Sequence, residues 1–191
     1  MPQLIMSAEQ AEAVVKPGWL ALYRGSGFVS RWIQYSTGGP YSHAAMIDRV
    51  NGHAEVLEIR EWIGPRILPL AAHAARWPGR IDIFSPCMVR AADYHGPAAA
   101  DWMRRLCLSD YNYVGIGLLA LRKIWGMRRL FPLTIADDDT PRQANAMFCS
   151  EAVANAVQFG GGVDCVPRKP NAFISPNDLA WSMMWRHRFT I

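Results

Sequence analysis

Two stretches of the chain carry a clear hydrophobic pattern. In the first, two segments rich in apolar residues flank Asn51-Gly52. Both residues of that dipeptide tolerate positive φ, so it is a strong signal for a two-residue hairpin loop. The flanking segments, His43 to Val50 and His53 to Arg60, are then expected to pair antiparallel, with Val50 opposite His53. Ala45 falls opposite Glu58, and His43 opposite Arg60. Side chains alternate faces along a strand. His43, Ala45, Glu58 and Arg60 therefore share one face, and Ala44, Met46, Leu57 and Ile59 the other. A slip of one residue would undo this arrangement. The second stretch is Met147 to Val157, MFCSEAVANAV. Ala152, Val153, Ala156 and Val157 follow the three-and-four spacing of a helix face turned to a core. Asn145 is the expected N-cap, and Gly160-Gly161-Gly162 the stop. Cys149 then sits in the first turn or so, on the side of Val153 and Val157.

The remaining pattern predicts a string of short elements. Ser7 caps a helix to Val15, which Pro17-Gly18 ends. Trp19 to Tyr23 reads as the first strand. Phe28 to Tyr35 reads as a helix that packs Phe28, Trp32 and Ile33. Trp62 to Gly79, with its prolines and glycines, reads as an irregular crossover with about one helical turn. His73 within it reads as a surface or packing residue, since no acidic or thiol side chain is near it in sequence. Arg80 to Phe84 alternates like a strand. Ala92 to Leu108 is expected to be a helix burying Ala99, Trp102, Met103 and Leu106. Tyr113 to Trp125 is strongly hydrophobic, but its uncharged part falls well short of the ~20 residues that span a bilayer. It is expected to form a short helix or lid over the site. Residues 136–144 read as a polar loop. Ser175 caps a further helix with Pro176 at its first position, and Arg186 to Ile191 reads as a final strand. Residues 1–191 form one expected α+β domain, a small antiparallel sheet packed against helices, with its core at about 16–182.

Composition narrows the function. Half the residues are hydrophobic (51%) and 19% are charged, which argues against widespread disorder. The net charge of +4 is mild and suits an anionic partner without establishing one. The basic pairs Arg122-Lys123 and Arg128-Arg129 flank Trp125 and read first as a solvated face, so no nucleic-acid partner is expected. None of the four cysteines forms a Cys-x-x-Cys pair, so no metal site is indicated, and no cofactor is called for. The N-terminus does not read as a signal peptide. The default expectation is a reducing, cytoplasmic setting. A cell-wall substrate would instead require delivery by a secretion machine, by lysis or by a phage particle.

The candidate chemistry joins the two patterned stretches. A thiol at a helix start can become a thiolate nucleophile. A carboxylate beside an imidazole fixes its tautomer and stabilises the imidazolium. Cys149 as nucleophile, His43 as base and Glu58 as orienter would make the three-group arrangement of covalent acyl chemistry. The bland alternatives are a buried free cysteine and an exposed ion pair on an edge hairpin.

PYSHAAMI, then EVLEI, then the late FCSEAV helix resembles the permuted NlpC/P60 proteins of the YiiX/YebB type, which are related to the lecithin retinol acyltransferase group. The order of histidine, acidic residue and cysteine is that of the permuted branch. KPGWLALYRGSGFVSRWIQYSTGGPYSHAAMI is similar to the family opening, SDYNYVGI to the segment ahead of the cysteine helix, and ISPNDLAWS to the closing element. Trp19 stands where the family usually has Asp. The resemblance implies a circularly permuted papain-like fold. It also implies a cysteine hydrolase that cleaves amide bonds through a thioacyl intermediate, with peptidoglycan peptides as the leading substrate. Tyr41 and Trp125 are the candidate substrate-binding residues, Tyr41 by aiding the oxyanion or lining the pocket. Two rival readings stand beside this one. The first is a lipid-directed thioesterase or acyltransferase with an apolar groove bordered by Leu118, Leu119 and Trp125. The second is a catalytically silent module of a larger assembly.

Overall fold

The computed structural model describes residues 4–60, 63–87, 89, 91–109 and 148–191. The calls on Tyr113–Trp125, residues 136–144 and Asn145 lie outside these residues.

The hairpin predicted from Asn51-Gly52 organises the sheet. β2 (His43–Val50) and β3 (His53–Arg60) pair antiparallel with Val50 opposite His53 and Met46 opposite Leu57. Asn51 (φ 51°) and Gly52 (φ 86°) both adopt the left-handed conformation that such a loop needs. β1 (Leu20–Tyr23) pairs with β2, and β5 (Ile81–Pro86) pairs with β1 on its other side. With β4 (Gly64–Pro69) and β6 (Trp185–Thr190) at the edges, the six-stranded antiparallel sheet runs β4-β3-β2-β1-β5-β6.

β4 is a correction to the expected irregular crossover. Pro65 and Pro69 mark a break in most settings, but proline is tolerated on an edge strand, where no second ladder needs its missing N–H. They sit opposite Ile59 and Glu55. The crossover continues as α3 (Leu70–Arg76), which buries Leu70 and His73.

One sheet face buries Leu20, Leu22, Ala44, Met46, Leu57 and Ile59 in one core cluster. α4 (Gly96–Leu108) contributes Ala99, Ala100 and Met103 to it, and the cysteine helix, α5 (Cys149–Asn155), contributes Ala152 and Val153. The other face buries Ala21, Tyr23, Ala45, Ile47 and Val56 with residues of α1 (Ala8–Val14) and α3. α4 starts at Gly96 rather than Ala92, because His95 Nδ1 accepts from Ala98 N at 3.1 Å and caps the helix there.

α2 (Phe28–Thr37) departs further from expectation. It buries none of its residues, and Phe28 is 86% exposed. Its apolar side chains serve a different surface, described below.

α6 (Pro176–Trp181), capped by Ser175 as expected, holds the entry to the histidine strand. The wholly buried Asn177 amide donates to Thr37 Oγ1 (2.6 Å) and Tyr41 O (2.9 Å) and accepts from Tyr41 N (3.0 Å). A Cβ on Gly39 would lie 2.3 Å from Asn177 Oδ1, so only glycine lets the turn approach this closely. Asn177→Ala strips the Tyr41 N–H and C=O of their buried partner. It is expected to lower stability by about 2–3 kcal/mol, read from the shift in a urea unfolding midpoint.

Candidate active site

α5 begins at Cys149, with Phe148 as its N-cap residue. Glu151 supplies the capping acceptor, its carboxylate taking the Phe148 N–H at 3.4 Å. The helix runs on through a π-turn to Gly160, and Gly162 (φ 79°) lies just beyond it. Cys149 itself is buried and heads the helix.

The structure brings three of the sequence-selected side chains together. His43 opens β2, and its side chain is hydrogen-bonded to both Cys149 and Glu58. Its Nε2–H donates to Glu58 Oε2 at 2.6 Å, so Nδ1 is the ring nitrogen left to face the thiol. Burial alone would lower the His43 pKa. The charge and hydrogen bond of Cys149, followed by those of Glu58, outweigh it and hold the imidazole well above its ordinary value. Glu58 is 1% exposed. Burial would raise its pKa, but the hydrogen bond and charge of His43 and the Arg66 guanidinium outweigh this and bring it down to about 2.

Arg66 and His73 were missed in the sequence. Arg66 lies directly opposite Glu58 on β4 and donates from Nη2 to Glu58 Oε1. Only recognition of β4 as a strand would have placed it there. His73, expected to be a surface or packing residue, is buried behind the site. Its Nδ1 bonds the Tyr23 hydroxyl at 2.9 Å, and its Nε2 lies 4.0 Å from Glu58 Oε1. Burial pushes its pKa down to about 4, against the pull of the Glu58 charge. Because His73 is neutral when folded and takes a proton near 6.5 when unfolded, acid favours the unfolded chain. Stability is therefore lost as pH falls from about 6.5 to about 4. His73→Leu is expected to flatten the slope of unfolding free energy across that window, measured by urea titrations at pH 7, 5.5 and 4.

A cavity of about 560 Å³ opens at Cys149. Val29, Trp32 and Ile33 of α2 form one wall, and Ile63 and Phe173 add to the apolar lining. Arg60, His43 and Glu58 are its charged members. The exposed apolar side of α2 thus faces a cavity rather than a core.

Of the two substrate-binding candidates, one is described and falls elsewhere. Tyr41 is not among the cavity-lining residues; its hydroxyl donates to Asp82 Oδ2 at 2.8 Å and its ring packs edge-on against Phe84. Trp125 lies outside the described residues. The thiols of Cys107 and Cys165 are both pushed up to about 12 by burial. Among the described residues, no group of three or more His, Cys, Asp or Glu side chains is placed to hold a metal ion. No described helix is long and apolar enough to cross a membrane.

The α+β arrangement matches a solved structure, that of metalloprotein yiiX (DUF1105) from Escherichia coli O157:H7. The match has a TM-score of 0.55 at 15% sequence identity and covers 92% of this chain and 97% of the other. It shows a shared fold of the YiiX type. No protein-family model matches the chain, and no curated protein matches it in sequence.

Proposed function

We propose that the protein is a cysteine hydrolase of papain-like type that cleaves an acyl bond through Cys149, His43 and Glu58. The observation that carries this reading is the continuous contact from Cys149 through His43 to Glu58 at the mouth of a cavity. The thiolate attacks the carbonyl carbon, forming a C–S bond and moving the carbonyl π electrons onto oxygen. The backbone N–H of Cys149, at the first position of α5, is the proposed donor to that oxyanion. Collapse of the adduct expels the amine or alcohol, which takes its proton from His43. Neutral His43 then removes a proton from water. The resulting hydroxide equivalent attacks the thioester, releasing the acid and returning the thiolate–imidazolium pair. Glu58 touches neither the substrate nor the thiol in this scheme; it positions His43 and stabilises its charged form.

The resemblance in sequence favours an amide bond in a peptidoglycan peptide. One observation favours the second reading, an acyl lipid: Val29, Trp32, Ile33, Ile63 and Phe173 line the cavity beside the thiol. Apolar walls take an acyl chain more readily than a polar wall peptide. The deciding experiment offers purified protein both soluble peptidoglycan fragments and nitrophenyl esters of two to twelve carbons. An acyl-chain site is expected to raise kcat/KM with chain length, each buried methylene being worth about 0.8 kcal/mol. Cleavage of the fragments with no chain-length trend would restore the peptide reading. Turnover of neither, in a folded protein, would leave the silent-module reading.

A further inference from the structure

Resting on that reading of the thiol site, we infer that its substrate carries an anionic group on the leaving-group side, and that Arg60 recognises it. Arg60 ends β3, and His43 opens the neighbouring β2. Tyr23 pairs with His43 across β1 and β2, and Arg60 pairs with Gly64 across β3 and β4. The Arg60 guanidinium sits 5.5 Å from the centroid of the Trp77 ring, and both residues line the cavity. Stacking on an aromatic face holds a guanidinium in place while leaving its N–H edge for a ligand.

The charges around the cavity single out Arg60. The Glu58 carboxylate is taken by His43 and Arg66. The thiol and the imidazole neutralise each other when ionised. Arg60 makes no ion pair among the described residues, so it is the cation among the cavity-lining residues left without an anionic partner there. A cation kept beside an apolar cavity without a carboxylate suits an anionic ligand group, because a planar guanidinium binds carboxylate or phosphate through paired N–H donors. Position sets which part of the substrate it meets. His43 delivers its proton to the leaving group, and Arg60 lines the same cavity as His43. A group bound by Arg60 therefore belongs to the departing alcohol or amine, while the α2 wall takes the acyl part.

The test compares octanoyl esters of three phenols: 4-hydroxybenzamide (neutral), 4-hydroxybenzoate (a carboxylate) and 4-hydroxyphenyl phosphate. The readout is the ratio of kcat/KM for each anionic ester to that for the neutral one. The wild-type ratio is expected to exceed about tenfold for at least one anion and to shrink as salt is raised. The larger of the two ratios tells carboxylate from phosphate. Arg60→Gln is expected to bring the ratio to about one, and Arg60→Lys to keep part of it. A wild-type ratio near one, or a ratio unchanged in Arg60→Gln, overturns the assignment of Arg60 and leaves the thiol hydrolase standing. Failure to cleave any of the three esters, together with an unreactive Cys149, overturns both.

Discussion

His43→Ala is expected to lower ester or amide hydrolysis by roughly a thousandfold or more. The imidazole has two duties in the proposed cycle: it holds the thiol proton and passes it to the leaving group. Among the described residues, no other base is placed for either duty. His73 is bonded to Tyr23 through Nδ1, and its Nε2 faces Glu58 at 4.0 Å. Cys149→Ala should match the loss, because groups that act as one unit do not add. A residual rate in His43→Ala within tenfold of wild type would show that the thiol does not depend on this histidine. Progress curves with a chromogenic ester, checked against unfolding midpoints for both variants, give the comparison directly.

Glu58→Leu is expected to be the most destabilising of these substitutions, by about 3–5 kcal/mol at pH 7. Glu58 is nearly inaccessible to solvent and is bound by both His43 and Arg66. Removing the carboxylate leaves the Arg66 guanidinium without its counter-charge and the His43 Nε2–H without its acceptor. Such an uncompensated buried charge costs more than the intact pair contributes. Glu58→Gln keeps a polar group of the same shape and should cost less. It also tests the pH linkage. The folded pKa of Glu58, about 2, lies below its ordinary value of 4.5. Its contribution is therefore present above about pH 4.5 and is lost as pH falls towards 2. That loss is on the order of 3 kcal/mol. In Glu58→Gln the unfolding free energy should lose most of this acid dependence. An unchanged acid slope would place the ionised carboxylate elsewhere in the stability of the fold.

The parts of this site that rest on local chemistry were readable from the residues, and the parts that rest on unusual placement were not. Asn51-Gly52 has few conformations available, so the register of β2 against β3 and the diagonal meeting of His43 with Glu58 could be written down in advance. The spacing of Ala152, Val153, Ala156 and Val157 likewise marked the core face of the cysteine helix. Pro65 and Pro69 concealed β4, because proline signals a break everywhere except at a sheet edge, and Arg66 was concealed with it. His73 looked isolated because its partners, Tyr23 and Glu58, come from distant strands. Trp32 and Ile33 have the periodicity of a packing helix; periodicity alone does not tell a core from a cavity wall. The placing of Cys149 in the first turn of its helix was also readable, but the acceptor that holds that turn was not: Glu151 reaches back to Phe148 N.

The pairing of one thiol with one imidazole is tested most directly by labelling. Wild-type protein and His43→Ala are treated with iodoacetamide at pH 6.5, and the rate at each cysteine is read by mass spectrometry. Cys149 should label well ahead of Cys107 and Cys165, whose thiols burial holds at about 12. That advantage should vanish in His43→Ala. Equal labelling of Cys149 in the two proteins would contradict the assignment of Cys149 and His43 as a working pair.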